Sequence, residues 1–212
     1  MKLDEMTNIQ RRIIEITYKE KLSHLSSCLS AAPIIHEIYN EKKNDEVFIL
    51  SNGHAGLALY CELEYRYGID PLMLLHKHGI HPGKDLANKI YCSTGSLGSG
   101  LPIAIGHALA NRSKNVYCMI SDGEAAEGSI WEALRFYHVQ KLHNLKIYAN
   151  INGMSAYEHL DIEYLVNRLK SFAPDINIRI SKPLEFSFAS GLLTHYYVLK
   201  PEDYTQLCDM NV

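Results

Sequence analysis

The chain has 212 residues, 47% of them hydrophobic, and a formal net charge of −3. That length supports one sizeable core, and the charge excludes a basic surface of the kind that binds nucleic acid. No apolar run approaches the roughly 20 residues needed to cross a bilayer, so a membrane helix is excluded as well.

In chain order, Met1-Lys2-Leu3-Asp4-Glu5 places acids where a secretory signal needs an apolar core. Thr7-x-x-Gln10 has the form of a capping box, and Ile9, Ile13 and Ile16 recur at near-helical spacing, predicting a first helix to about Leu22. Ser23 to Ser30 reads as a polar loop. Ser30 then caps a second helix with Pro33 in its first turn and Ile34, Ile35 and Ile38 on one face. After a charged turn, Glu41 to Glu46, Val47-Phe48-Ile49-Leu50 reads as a short buried strand ending in Ser51-Asn52-Gly53-His54. Ala55 to Tyr67 predicts a packed helix and Pro71 to Leu75 a short one. His76 to Tyr91 reads as a long loop, a length that in compact domains usually carries function. A glycine-rich turn, Ser93 to Gly100, leads into a helix of small residues, Leu101 to Ala110, suited to close packing on a sheet or another subunit.

The most informative stretch follows. The apolar run Val116–Ile120 ends in Ser121-Asp122-Gly123-Glu124, a helical segment covers Glu127 to Lys141, and a second apolar run, Leu145–Ala149, ends in Asn150-Ile151-Asn152-Gly153-Met154. Strand, turn, helix, strand and turn would set a carboxylate and a carboxamide at the ends of two parallel strands, where open α/β sheets bind ligands. An anionic oxygen, a neutral oxygen and a glycine turn at a helix start suit a magnesium-diphosphate group. Farther on, Asp161 to Phe172 is amphipathic, Ile176 to Ile180 alternates like an edge strand, and one short helix follows Pro201. Strands alternating with helices predict an α/β fold, a parallel sheet flanked by helices. The five cysteines are scattered and never spaced C-x-x-C, which fits buried thiols in a reducing compartment. A soluble cytoplasmic protein is expected, without nucleic-acid or membrane partners.

Together these motifs resemble the thiamine-diphosphate-binding half of transketolase, most closely the N-terminal subunit of split transketolases. In that family a strand ends in a G-D-G-E turn and an N-G dipeptide follows about thirty residues on; here Asn152 follows Asp122 by thirty positions. The family's S-x-G-H is similar to Ser51-Asn52-Gly53-His54, its T-G-P-L-G-x-G to Thr94–Gly100, and its G-H-P to Ile80-His81-Pro82. Its early S-G-H-P-G is echoed by Leu22–Ser26. Its late histidine after K-G-K-G-V-S-F resembles His195 after Lys182–Phe188.

The resemblance implies a thiamine-diphosphate-binding fold in one pyrophosphate-binding domain over residues 1–212, shortened after about residue 155. It implies that Asp122, Asn152 and the Met154 carbonyl hold magnesium (or calcium or manganese in its place), while Gly123 and Glu124 join the cofactor set. Gly95, Ser96 and Leu97 would meet the cofactor's rings. His54 and His195 would lie near the diphosphate. His24, His81 and His195 would bind substrate hydroxyls or move protons, roles neutral imidazole can fill near pH 7. A different reading of His76-x-His78-x-x-His81, a zinc site, lacks a fourth ligand nearby.

The implied activity is transfer of a two-carbon ketol unit from a ketose to an aldehyde, with modified-sugar synthesis one setting for a divergent pair. In the family, the glutamate that activates the cofactor lies in a second, pyrimidine-binding domain for which this chain has no motifs. A C-terminal transketolase-like partner subunit, two copies of each chain, is therefore expected. Two alternatives stay open: the α-subunit of another thiamine-diphosphate enzyme (a 2-oxo acid dehydrogenase or an acyloin-forming lyase), and a non-catalytic subunit. The sequence departs from the pattern at Ser96 (for proline), at Ser121 (for the first glycine), after His24, and at Lys182–Glu185. By length, a helix-strand unit is also missing after Met154, predicting a narrower sheet.

Overall fold

The computed structural model describes residues 7–155, 158–181, 187–189 and 193–209. The acidic N-terminal stretch Met1–Glu5 and the Lys182–Phe186 part of the late motif lie outside the described residues. Thr7 caps α1 (Asn8–Lys19): its hydroxyl accepts from the Gln10 N–H while Gln10 Oε1 accepts from the Thr7 N–H. The helix stops short of the expected Leu22. Lys21 turns into the left-handed region at φ +52°, and the Leu22 N–H reaches back to the Thr17 carbonyl.

The expected loop from Ser23 to Ser30 is corrected by α2 (Leu25–Glu41), which begins directly after His24 and holds Pro33 in its interior rather than its first turn. Proline has no N–H to offer the carbonyl four residues back. That carbonyl, of Leu29, accepts instead from the buried Gln10 side chain at 3.2 Å. A residue of α1 thus repairs the gap in α2, and the Ser-rich segment stays helical.

Strands β1 (Val47–Leu50), β2 (Val116–Ser121), β3 (Leu145–Ile151) and β4 (Asn177–Ile180) form one parallel sheet in that order. Alternate side chains serve two cores. Phe48, Leu50, Tyr117, Met119 and Tyr148 pack with α1, α2 and α3 (Gly56–Tyr67). Ile49, Cys118, Ile120, Ile147 and Ala149 pack with α5 (Gly100–Ala110), α6 (Gly128–Gln140) and α7 (Ile162–Phe172). Burial on both faces explains why β1, β2 and β3 read as nearly continuous apolar runs. Helix α4 (Pro71–His78) runs past the expected Leu75 to a Gly79 cap, so the long loop starts there. Short α8 (Leu193–Tyr196) and α9 (Pro201–Asp209) end the described chain. β4 is an edge strand, as its alternation predicts. Cys28, Cys61, Cys92 and Cys118 are buried free thiols. Among the described residues no helix is long and apolar enough to cross a membrane.

The register sets Ser121 opposite Asn150, so β2 ends one residue before β3 at the same edge of the sheet. Everything C-terminal to that pair projects from the same edge of the sheet.

Candidate cofactor site

Asp122 follows the last residue of β2 and opens the short 3₁₀ turn Gly123–Ala126. Its Oδ2 accepts three backbone N–H groups from the turn beyond β3: Asn152 at 2.7 Å, Gly153 at 2.8 Å and Met154 at 3.3 Å. Its Oδ1 accepts from the Gly123 N–H at 3.0 Å. Asn152 Oδ1 accepts from the Met154 N–H at 2.9 Å. The Asn152-Gly153-Met154 turn depends on Gly153, which sits at φ +80°. The two predicted metal-binding side chains are therefore fixed to each other before any ion arrives. Burial pushes the Asp122 carboxyl up, against the backbone donors that hold it down. A cation beside it would favour the ionised form. Carboxylate, amide and carbonyl oxygens are hard donors, the set that suits magnesium, calcium or manganese.

A cleft at this edge is lined by His54, Leu97, Asp122, Gly123, Asn152, Met154 and His195, all of them predicted cofactor residues. Its other wall was not foreseen: Ser26, Ser27 and Ser30 from the first turns of α2, with Asn52, Ser121 and Asn150 from the strand ends. Asn150 donates to Ser30 Oγ at 3.1 Å, joining β3 to α2. The signal for this wall lay in the run of small polar residues after His24, read as a loop.

Glu124, Gly95, Ser96, His24 and His81 stand outside that lining. Glu124 is fully buried. Its Oε1 accepts from Ser51 Oγ at 2.6 Å and from the Gly98 N–H at 2.9 Å, and its Oε2 from the Ser121 N–H at 3.1 Å. It fastens the end of β1, the glycine-rich turn and the end of β2 at one point. Gly98 is required there: it sits at φ +78°, and a Cβ would come within 2.4 Å of Ser129 Oγ. Gly95 packs against the His81 ring, and Ser96 is exposed.

The histidines converge. Ring centroids of His24 and His195 are 4.3 Å apart, of His54 and His195 5.5 Å, and of His24 and His54 5.7 Å. The His24 N–H donates to the His195 carbonyl at 3.0 Å, and His24 Nδ1 lies 2.7 Å from Ser23 Oγ. Burial first, then repulsion among the rings and from His81, holds His54 down to about 3 and His24 down to about 4. Burial lowers His195 too. These rings are neutral at pH 7. The zinc alternative gains nothing: His76 faces Glu20, His78 faces Asp85, and among the described residues no three His, Cys, Asp or Glu side chains are grouped to hold a metal.

The cleft fits a phosphorylated ligand. Ser121 Oγ, on its lining, is buried without a hydrogen-bond partner, an arrangement that costs free energy unless an acceptor such as a phosphate oxygen binds it. The profile of the family described as transketolase, thiamine diphosphate binding domain, matches residues 14–174. Mouse transketolase is 29% identical over 184 residues, covering 77% of this chain, which spans only 30% of that protein's length. One subunit of the apulose-4-phosphate transketolase of Phocaeicola vulgatus is 30% identical over 192 residues, 79% of this chain and 68% of that one. In solved structures, Pichia stipitis transketolase superposes with a TM-score of 0.72 at 20% identity, over 95% of this chain and 40% of that one. Campylobacter jejuni transketolase gives 0.64 at 21%, over 84% and 37%. The parallel sheet with helices on both faces is thus the thiamine-diphosphate-binding fold, and the chain belongs to the transketolase family as its thiamine diphosphate-binding domain.

Proposed function

We propose that this chain is the diphosphate-binding subunit of a split, metal-dependent transketolase. The observation that carries the reading is the coupled pair Asp122 and Asn152 just past two neighbouring strand ends, opening onto a cleft that also holds His54 and His195. Asp122, Asn152 and the Met154 carbonyl would hold magnesium, and Gly123 and His54 would meet the diphosphate. When bound, thiamine diphosphate supplies the carbon nucleophile and electron sink for carbon-carbon cleavage. The chain's own residues bind and orient. The imidazoles of His24, His81 and His195 accept or donate hydrogen bonds to substrate hydroxyls and pass protons.

The imidazole cluster favours a hydroxylated ketose donor over an apolar 2-oxo acid, which sets the reading above a 2-oxo acid dehydrogenase or an acyloin-forming lyase. The Phocaeicola vulgatus relative, itself one subunit of a transketolase, supports a division of the active site between chains. The partner would carry the pyrimidine-binding domain and the activating glutamate, two copies of each chain forming the enzyme. The whole described chain would serve as one domain, shortened in its connection from β3 to α7. A role in building a modified sugar suits a chain this far from full-length transketolases.

With the partner subunit, magnesium and thiamine diphosphate, the chain is expected to transfer a ketol unit from hydroxypyruvate to an aldehyde. The isolated chain should show none. Turnover of pyruvate in place of hydroxypyruvate would transfer the reading to the other enzyme classes. Full ketol transfer by the isolated chain would refute the shared active site.

A further inference from the structure

Ser121 stands where the family pattern has glycine, at the tip of β2 immediately before Asp122. Its hydroxyl is buried and without a partner, on the lining of the cleft, and the residue is only 7% exposed. Its side chain lies on the sheet face shared with Met119, toward α2, because side chains alternate along the strand. A second feature of the cleft points to the same kind of ligand. The 17-residue α2 begins at Leu25 with no side-chain cap, and Ser26 and Ser27 of its first turn line the cleft. The positive end of a helix favours an anion there. Ser30, one turn on, is already engaged: it donates to the Ser27 carbonyl and accepts from Asn150. Ser121 is the buried hydroxyl of this lining without a partner, and it is placed to donate to an incoming anion.

We infer that Ser121 is an additional diphosphate-binding residue of this chain, its hydroxyl donating to a phosphate oxygen opposite the Asp122–Asn152 metal side. The inference rests on the proposed cofactor site and adds a donor that a glycine at this position lacks. Hydrogen bonds to charged groups are the stronger kind, so the contact is selective for the phosphorylated end of the ligand. Ser121 supports binding and takes no part in the chemistry. Its backbone N–H already serves Glu124, so the side chain can be changed while that bond remains.

The test is calorimetric titration of the full chain with its partner subunit, using wild type, Ser121→Ala and Ser121→Gly. The ligands are thiamine diphosphate and, separately, inorganic pyrophosphate, each with magnesium. Both variants should weaken both ligands by about tenfold or more, the loss expected for one hydrogen bond to a charged acceptor. Their circular dichroism and urea midpoints should stay close to wild type. Equal affinities in wild type and variants would overturn the role of Ser121 alone. A loss confined to thiamine diphosphate, with pyrophosphate unaffected, would also overturn it, since the contact would then be to the rings. No binding of either ligand by wild type would overturn the cofactor site itself.

Discussion

Replacing Glu124 with alanine is expected to lower the unfolding free energy by roughly 3–5 kcal/mol, the scale for leaving several buried polar groups unpaired. Three donors lose their acceptor at once: the Ser51 hydroxyl, the Gly98 N–H and the Ser121 N–H. They come from the ends of two strands and from the glycine-rich turn, and water does not reach them, because Glu124 is fully buried. The turn also carries Leu97, on the cleft lining, so cofactor binding should weaken along with stability. Glu124→Gln keeps the shape and should cost clearly less. Urea unfolding followed by circular dichroism measures both, with the slope unchanged and the midpoint displaced. A Glu124→Ala midpoint within error of wild type would show that the three elements are held together by something else.

The second large effect is on acid stability. In the fold, the pKa values of His24, His54 and His195 all lie below the ordinary 6.5 of a free imidazole. The unfolded chain therefore takes up protons first as the pH falls. The stability these rings contribute is fully present above about pH 6.5 and is lost as the pH drops toward their folded values, about 4 for His24 and about 3 for His54. Each ring that resists protonation adds a slope approaching about 1.4 kcal/mol per pH unit. Solvent screening at the partly exposed His24 and His195 reduces their share. Asp122 and Glu124 act in the opposite sense: burial raises their pKa values, so their protonated forms favour the fold, an advantage lost as the pH rises through those raised values. Urea midpoints at pH 7, 6 and 5 should thus fall steadily for wild type. His54→Asn, which removes the most shielded ring, should flatten the fall by about one proton's worth. An identical slope in the variant would contradict the account of the cluster.

The sheet was legible because β1, β2 and β3 are buried on both faces, which leaves a nearly continuous apolar signature at Val116–Ile120 and at Leu145–Ala149, broken there only by Lys146. The metal-side residues were legible because a turn that closes between strand ends restricts composition: Asp122, Gly123, Asn152 and Gly153 each meet a local demand for an acceptor or an open backbone. The histidine cluster could be found only through resemblance, since His24, His54 and His195 are far apart in sequence and no local pattern joins them. The start of α2 was missed for a physical reason. Serine is a weak helix former, and Pro33 argued for a first turn. What rescues the helix is Gln10, a residue of another element, and no window along the chain contains both. The serine wall was lost with that helix start, and the role of Glu124 was hidden because its three donors come from three separate segments.

The measurement that bears most directly on the central claim is thiamine diphosphate uptake by the chain with its partner subunit, followed by calorimetry with and without magnesium. Wild type should bind only when the metal is present, and Asp122→Ala or Asn152→Ala should each reduce the affinity by about a hundredfold or more, as expected for loss of a ligand to a divalent ion. Uptake that does not need the metal, or that survives both substitutions undiminished, would contradict the account.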